Sequence, residues 1–282
     1  MEHAWRLVGR EAERARLEEV LDGDGTPSGV LLAGDAGVGK TALMATVAGP
    51  DRATWLMGNT STRDVPLAVF ADWLPDTVTG AEPSTILHQT LDAFAGDGSG
   101  RRIVAVDDVH HLDSLSALLV QRIVLGGHAR TVLTAESATA LPEAIARLVA
   151  GGWIERIEIT PLAEHELASL LETVLGQPVE THSLRRLVAT TGGGTQYLRE
   201  LVTSEVANGG LRLEHGRWFW SALGDVPGSV VEVTLARIAT VRDDTREVCD
   251  LLALAGPLEL ETLEQLSTAD AVKRGEELGL CV

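Results

Sequence analysis

Four short, largely apolar runs and a fifth, alternating segment punctuate the first 160 positions. They are residues 30–33 (VLLA), 53–57 (ATWLM), 103–106 (IVAV), 131–135 (TVLTA) and 154–159 (IERIEI). Continuous apolar runs of this length suit strands buried on both faces of a parallel sheet. Between them the apolar positions recur at helical spacing, over residues 40–48, 67–74, 85–94, 115–125 and 143–149. Strands alternating with helices predict an α/β fold with a doubly wound parallel sheet over residues 1–160.

The pattern then changes. Residues 164–208 carry only helical periodicity, in EHELASLLETVLG, SLRRLVATTG and QYLRELVTSEVAN. LRLEHGRWFW predicts a hairpin turning at His215-Gly216. Trp218, Phe219 and Trp220 there either pack the hairpin on neighbouring helices or form a base-stacking platform. Pro227-Gly228 marks a boundary. Helical segments follow at 230–241, 245–255, 261–266 and 270–278, and the chain stops at GLCV in what reads as the start of a strand. The organisation expected is a core at 1–160, a helical segment with a hairpin at 161–226, and a third, truncated domain at 227–282. The ending suggests a piece of a longer protein.

Charge narrows the partners. A formal net charge of −18 repels phosphate backbones, so direct nucleic-acid contact by this segment is not expected, and the stacking platform loses ground. Cys249 and Cys281 both sit in apolar helical patterns and read as buried free thiols. No apolar run reaches the length of a membrane span, and the N-terminal MEHAWRLVGREAER has no signal core. The expected location is cytoplasmic.

The chemistry concentrates in GDAGVGKT, Gly34 to Thr41. It fits G-x-x-x-x-G-K-[ST], with a strand before it and a helix after it. Such a loop turns its backbone N–H groups inward around phosphate oxygens, and glycines permit the close approach. The helix dipole faces the anion. The binding residues expected are Gly34, Asp35, Ala36, Gly37, Val38, Gly39, Lys40, Thr41 and Ala42. Lys40 would reach the β- and γ-phosphates, and the Thr41 hydroxyl would ligate Mg²⁺. The second half of the site is RRIVAVDDVHHLD. Asp107 would hold Mg²⁺ through a water and Asp108 would polarise the attacking water. His110 and His111, adjacent on a helix, should point in different directions and share no metal. Asp113 or Ser114 should cap the helix that follows.

RLVGREAERARLEEVL, GDAGVGKT, DVPLAVFADWL and VDDVHHLDSLSALL occur in that order. Together they resemble the ATP-binding module of large LuxR-family regulators, in the signal-transducing STAND branch of AAA-related P-loop NTPases. The resemblance implies that Val8, Gly9 and Arg10 lie by the adenine. It implies that helices 164–208, with Thr195, form a lid over the nucleotide, and that residues 227–282 begin a winged-helix domain. It implies a transcription regulator in which ATP or ADP with Mg²⁺ sets domain arrangement and self-association, acting with C-terminal regions of its own chain. Two positions depart from the family's pattern. Leu133-Thr134-Ala135-Glu136 carries an acid where a basic residue is expected near the γ-phosphate; Glu136 either opposes the phosphate charge or points away, with Thr134 keeping a polar sensor role. Thr195 replaces the proline that would pack on adenine, and Arg199 either reaches phosphate or faces solvent. Three readings follow: a regulatory switch with weak ATPase activity, a nucleotide-binding module with little or no hydrolysis, and a degenerate scaffold. The intact loop and both aspartates argue against the third.

Overall fold

Apolar side chains on both faces of β1 (Gly29–Gly34) leave that strand buried along its whole length. The computed structural model describes residues 5, 9–49, 52–74, 82–95, 102–221, 241–256 and 258–277, together with 231, 235 and 238. They divide into two compact units, Arg6–Thr160 and a second that takes Met1–Trp5 together with Pro161–Val282.

In the first unit β1 is joined by β2 (Ala53–Met57), β3 (Arg102–Asp107), β4 (Ala129–Glu136) and β5 (Ile154–Glu158). All pair in parallel, in the order β2-β3-β4-β1-β5. Five helices accompany them: α1 (Glu11–Asp22), α2 (Lys40–Val47), α3 (Pro83–Ala95), α4 (Ser114–Leu125) and α5 (Glu143–Ala150). Alternation along the strands divides the core in two. Val30, Leu32, Ile103, Ala105 and Val132 pack with Leu17, Val20 and Leu21 of α1 and Leu43, Met44 and Val47 of α2. Leu31, Val104, Val106, Leu133 and Ala135 pack with residues of α3, α4 and α5 on the other face. The continuous apolar runs are therefore two interleaved stripes, each with its own helical cover.

The chain leaves β1 toward β2 on one side, and leaves β4 across β1 to β5 on the other. The carboxyl ends of β1 and β4 thus lie where the connections diverge, the place at which open α/β sheets bind ligands.

One expected element differs. Residues 67–74 do not form an α-helix; Ala68–Trp73 is a 3₁₀ helix with a break at Phe70 (φ −108°, ψ 18°). Tertiary contacts override the local pattern. The Leu67 amide donates to Asp113 Oδ2 at 3.2 Å, which holds Leu67 in the left-handed region at φ 58°. Phe70, Trp73 and Phe94 then pack edge to face, with centroids 5.6–6.3 Å apart.

In the second unit α6 (Glu164–Leu175), α7 (Thr181–Thr191) and α8 (Thr195–Asn208) precede a hairpin of β6 (Leu211–Glu214) and β7 (Arg217–Trp220). His215 and Gly216 take φ 49° and 78°, as a tight hairpin turn requires. The tryptophans face helices. Trp220 Nε1 donates to buried Glu205 and its backbone N–H to Ser183 Oγ, and the Arg186 guanidinium lies 4.8 Å over its ring. Farther on, α9 (Asp243–Ala255), α10 (Leu260–Leu266) and α11 (Ala269–Glu277) surround a small cluster of Val248, Leu263, Ala271 and Val272. Cys249 is a buried free thiol. Cys281, the expected strand at 278–282 and most of 230–241 lie outside the described residues. No described helix is long and apolar enough to cross a membrane.

Candidate functional site

β1 ends at Gly34, and α2 begins at Lys40 after a loop that Gly37 (φ 76°) and Gly39 (φ 99°) turn through the left-handed region. A side chain at Gly34 would meet the Ile159 carbonyl at 2.3 Å, so only glycine fits against the chain leaving β5. Val38 is buried in the core shared with α1 and α2 and anchors the loop from beneath. Asp35, Ala36, Thr41 and Ala42 are exposed. Lys40 is 7% exposed, and its ammonium donates to the carbonyls of Gly34 (2.9 Å) and Asp35 (2.8 Å). That spans the loop from end to end and leaves the third N–H for an anion. Burial pulls the Lys40 ammonium below the usual lysine range, while Asp108, Glu136, Asp107 and Asp35 oppose it.

Two further elements converge on this loop. Asp107, the last residue of β3, accepts a hydrogen bond from Thr41 Oγ1 at 3.0 Å to both carboxylate oxygens. Thr134 on β4 donates its hydroxyl to Asp107 Oδ1 and accepts from the Asp108 backbone N–H at 2.8 Å. One hydroxyl thus sets the height of Asp107 and Asp108 together. Asp108 sits in the left-handed region (φ 53°, ψ 55°). Burial first, then the neighbouring Asp107 charge, pushes its carboxyl above the usual aspartate range. A side chain at Gly58, which follows β2, would meet the Asp108 carbonyl at 2.5 Å, so the β2 end is shaped to admit this turn.

The remaining expected residues are placed as follows. Arg10 is 5% exposed and committed to protein atoms: Glu13 at 3.1 Å, the Val38 carbonyl at 3.4 Å and the Thr160 carbonyl. It braces the phosphate loop against the end of the unit, a role its sequence pattern did not reveal. Gly9 takes φ 72°; Val8 lies outside the described residues. Thr195 is the first residue of α8 in the second unit. Asp113, not Ser114, caps α4, accepting from the amides of Leu115 and Ser116. The two histidines depart from expectation. They lie in a three-residue 3₁₀ turn, Val109–His111, rather than an α-helix, and their rings fold together with centroids 4.1 Å apart. No group of three or more potential ligands is placed to hold a metal among the described residues.

Residues 6–125 match the model of a family described as AAA ATPase domain. The solved structures similar in fold include the following two. The Aeropyrum pernix Orc1 protein, solved in complex with DNA, aligns at a TM-score of 0.56 and 19% identity, over 98% of this chain and 85% of that one. A Walker-type ATPase of Pyrococcus abyssi aligns at 0.53 and 14% identity, over 97% and 91%. A comparison with curated proteins finds no match. The parallel sheet with the phosphate loop at its switch point is the P-loop NTPase fold, and residues 6–125 of it are similar to the AAA ATPase domain family.

Proposed function

We propose that the chain is the ATP-driven switch of a signal-responsive transcription regulator of the LuxR type, binding ATP or ADP with Mg²⁺ and hydrolysing ATP slowly. The observation that carries this reading is the convergence of Thr41, Asp107 and Thr134 beside the Lys40 ammonium. A hydroxyl and a carboxylate 3.0 Å apart are hard oxygen donors of the kind Mg²⁺ takes. Thr41 and Asp107 would hold the ion, which when bound neutralises charge on the phosphate oxygens. Lys40 and the amides of the loop bind and orient the phosphates. Thr134 holds Asp107 and the Asp108 backbone in fixed relation, and Asp108 orients the attacking water.

The switch reading extends to the whole chain. Residues 161–226 act as the lid segment, residues 227–282 begin a winged-helix domain, and nucleotide state sets domain arrangement and self-association. The setting is cytoplasmic. Direct DNA contact belongs to other regions of the protein, because the net charge of −18 repels a phosphate backbone.

A second reading, binding with little or no turnover, draws support from Glu136. It ends β4 opposite Gly34 of the phosphate loop, and its charge reaches the Lys40 ammonium. An acid there opposes the charge that builds on a transferring phosphoryl group.

Asp108→Asn separates the two. The hydrolytic reading expects ATP affinity within about threefold of the parent and turnover lower by about 100-fold or more. Equal turnover in parent and variant would remove Asp108 from the mechanism.

A further inference from the structure

His110, in the middle of the 3₁₀ turn that follows Asp108, is 7% exposed. Its Nδ1 has no hydrogen-bond partner among the described residues. A buried ring nitrogen in that state carries a desolvation cost that a leucine of similar volume would avoid. Asp108 Oδ1 stands 4.0 Å from this nitrogen, just outside hydrogen-bond reach. The Asp108 backbone is pinned through its N–H to Thr134, while its side chain is 44% exposed. The carboxylate is therefore the part free to move, and a shift of about 1 Å closes the gap.

We propose that His110 is a positioning residue for Asp108: its Nδ1–H grips one carboxylate oxygen and leaves the other to take the hydrogen bond of the attacking water. The inference rests on the reading that Asp108 serves ATP hydrolysis. Two features fit the ring for this task. The His111 ring packs against it at a tilt of 46°, with centroids 4.1 Å apart. Burial and His111 hold the imidazole neutral against the pull of Asp108 and Glu136, so it offers a single N–H. In the step served, the water oxygen bonds the γ-phosphorus. The bond from phosphorus to the β,γ-bridging oxygen breaks with its electron pair left on ADP. The water proton passes to the Asp108 carboxylate and then to solvent. His110 keeps its own proton throughout and holds the acceptor in line.

The test compares His110→Leu, His110→Asn and His110→Gln by steady-state turnover of ATP·Mg²⁺, with Lys40→Ala as the blank. Asparagine can place an amide N–H near the position of Nδ1; glutamine places one near Nε2; leucine places none. His110→Leu should lower kcat by about 10- to 100-fold, with KM within about twofold of the parent. His110→Asn should recover most of that loss and His110→Gln little of it. Unchanged kcat in His110→Leu, or a rise in KM alone, would overturn the assignment. Should the leucine variant not fold, equal kcat in the asparagine and glutamine variants would overturn it as well. Turnover by the parent no greater than the blank would overturn the hydrolytic reading, and this inference with it.

Discussion

Asp107 gathers two hydroxyls from different elements, Thr41 at the start of α2 and Thr134 within β4. The candidate site is built around that one buried carboxylate. Its members were legible in the sequence because a phosphate loop and an acid-terminated strand are marked by residue type. Their local geometry was not. Asp108 at φ 53° is a left-handed residue without a glycine to announce it, and the contact of the His110 and His111 rings depends on a 3₁₀ turn that no spacing rule foresees. Glu136 is the residue whose part is most open to experiment. It follows Ala135 at the end of β4, beside the start of the phosphate loop, where Ser137 N–H donates to the Gly34 carbonyl at 3.3 Å. Glu136→Arg replaces an opposing charge with a complementary one. ATP turnover should rise by about tenfold or more; an unchanged rate would clear Glu136 of any restraint on hydrolysis.

At the scale of elements, β1, β3 and β4 could be read directly because their apolar runs are buried on both faces, while β5 showed itself by alternation, as an edge strand half-buried on one face does. The segment at 67–74 could not be read, since its form depends on a hydrogen bond from the Leu67 backbone N–H to a side chain 46 residues away. Asp113 supplies that bond while it caps α4. It thereby ties the 3₁₀ segment, the turn of the histidines and α4 into one piece. Asp113→Ala should destabilise the first unit by about 1–2 kcal/mol, the upper part of the range for a lost helix cap, because the Leu67 amide loses its acceptor too. Chemical denaturation followed by a probe within residues 9–160 measures this. A loss no larger than that of an exposed alanine substitution would show that the cap does not hold the segment. Arg10 is the complementary case. Its place in the N-terminal motif was visible, but its three bonds to Glu13, Val38 and Thr160 could only come from the fold.

For the whole molecule, the sheet order places the phosphate loop, Asp107 and Thr134 at neighbouring carboxyl ends of β1, β3 and β4. Chain distance disappears there: Thr41 and Asp107 are separated by 66 positions and share a hydrogen bond. The strong negative charge of the chain sets a background against which a polyanion binds only if a built site overcomes it. Nucleotide binding at the loop is thus a demanding claim as well as the central one. Titration calorimetry with ATP and Mg²⁺, run on the parent chain and on Lys40→Ala, tests it most directly. The account predicts one nucleotide per chain in the parent and an affinity at least about tenfold weaker in the variant, from the loss of a charged contact to phosphate. Equal affinity in the two proteins, or no binding by the parent, would contradict it.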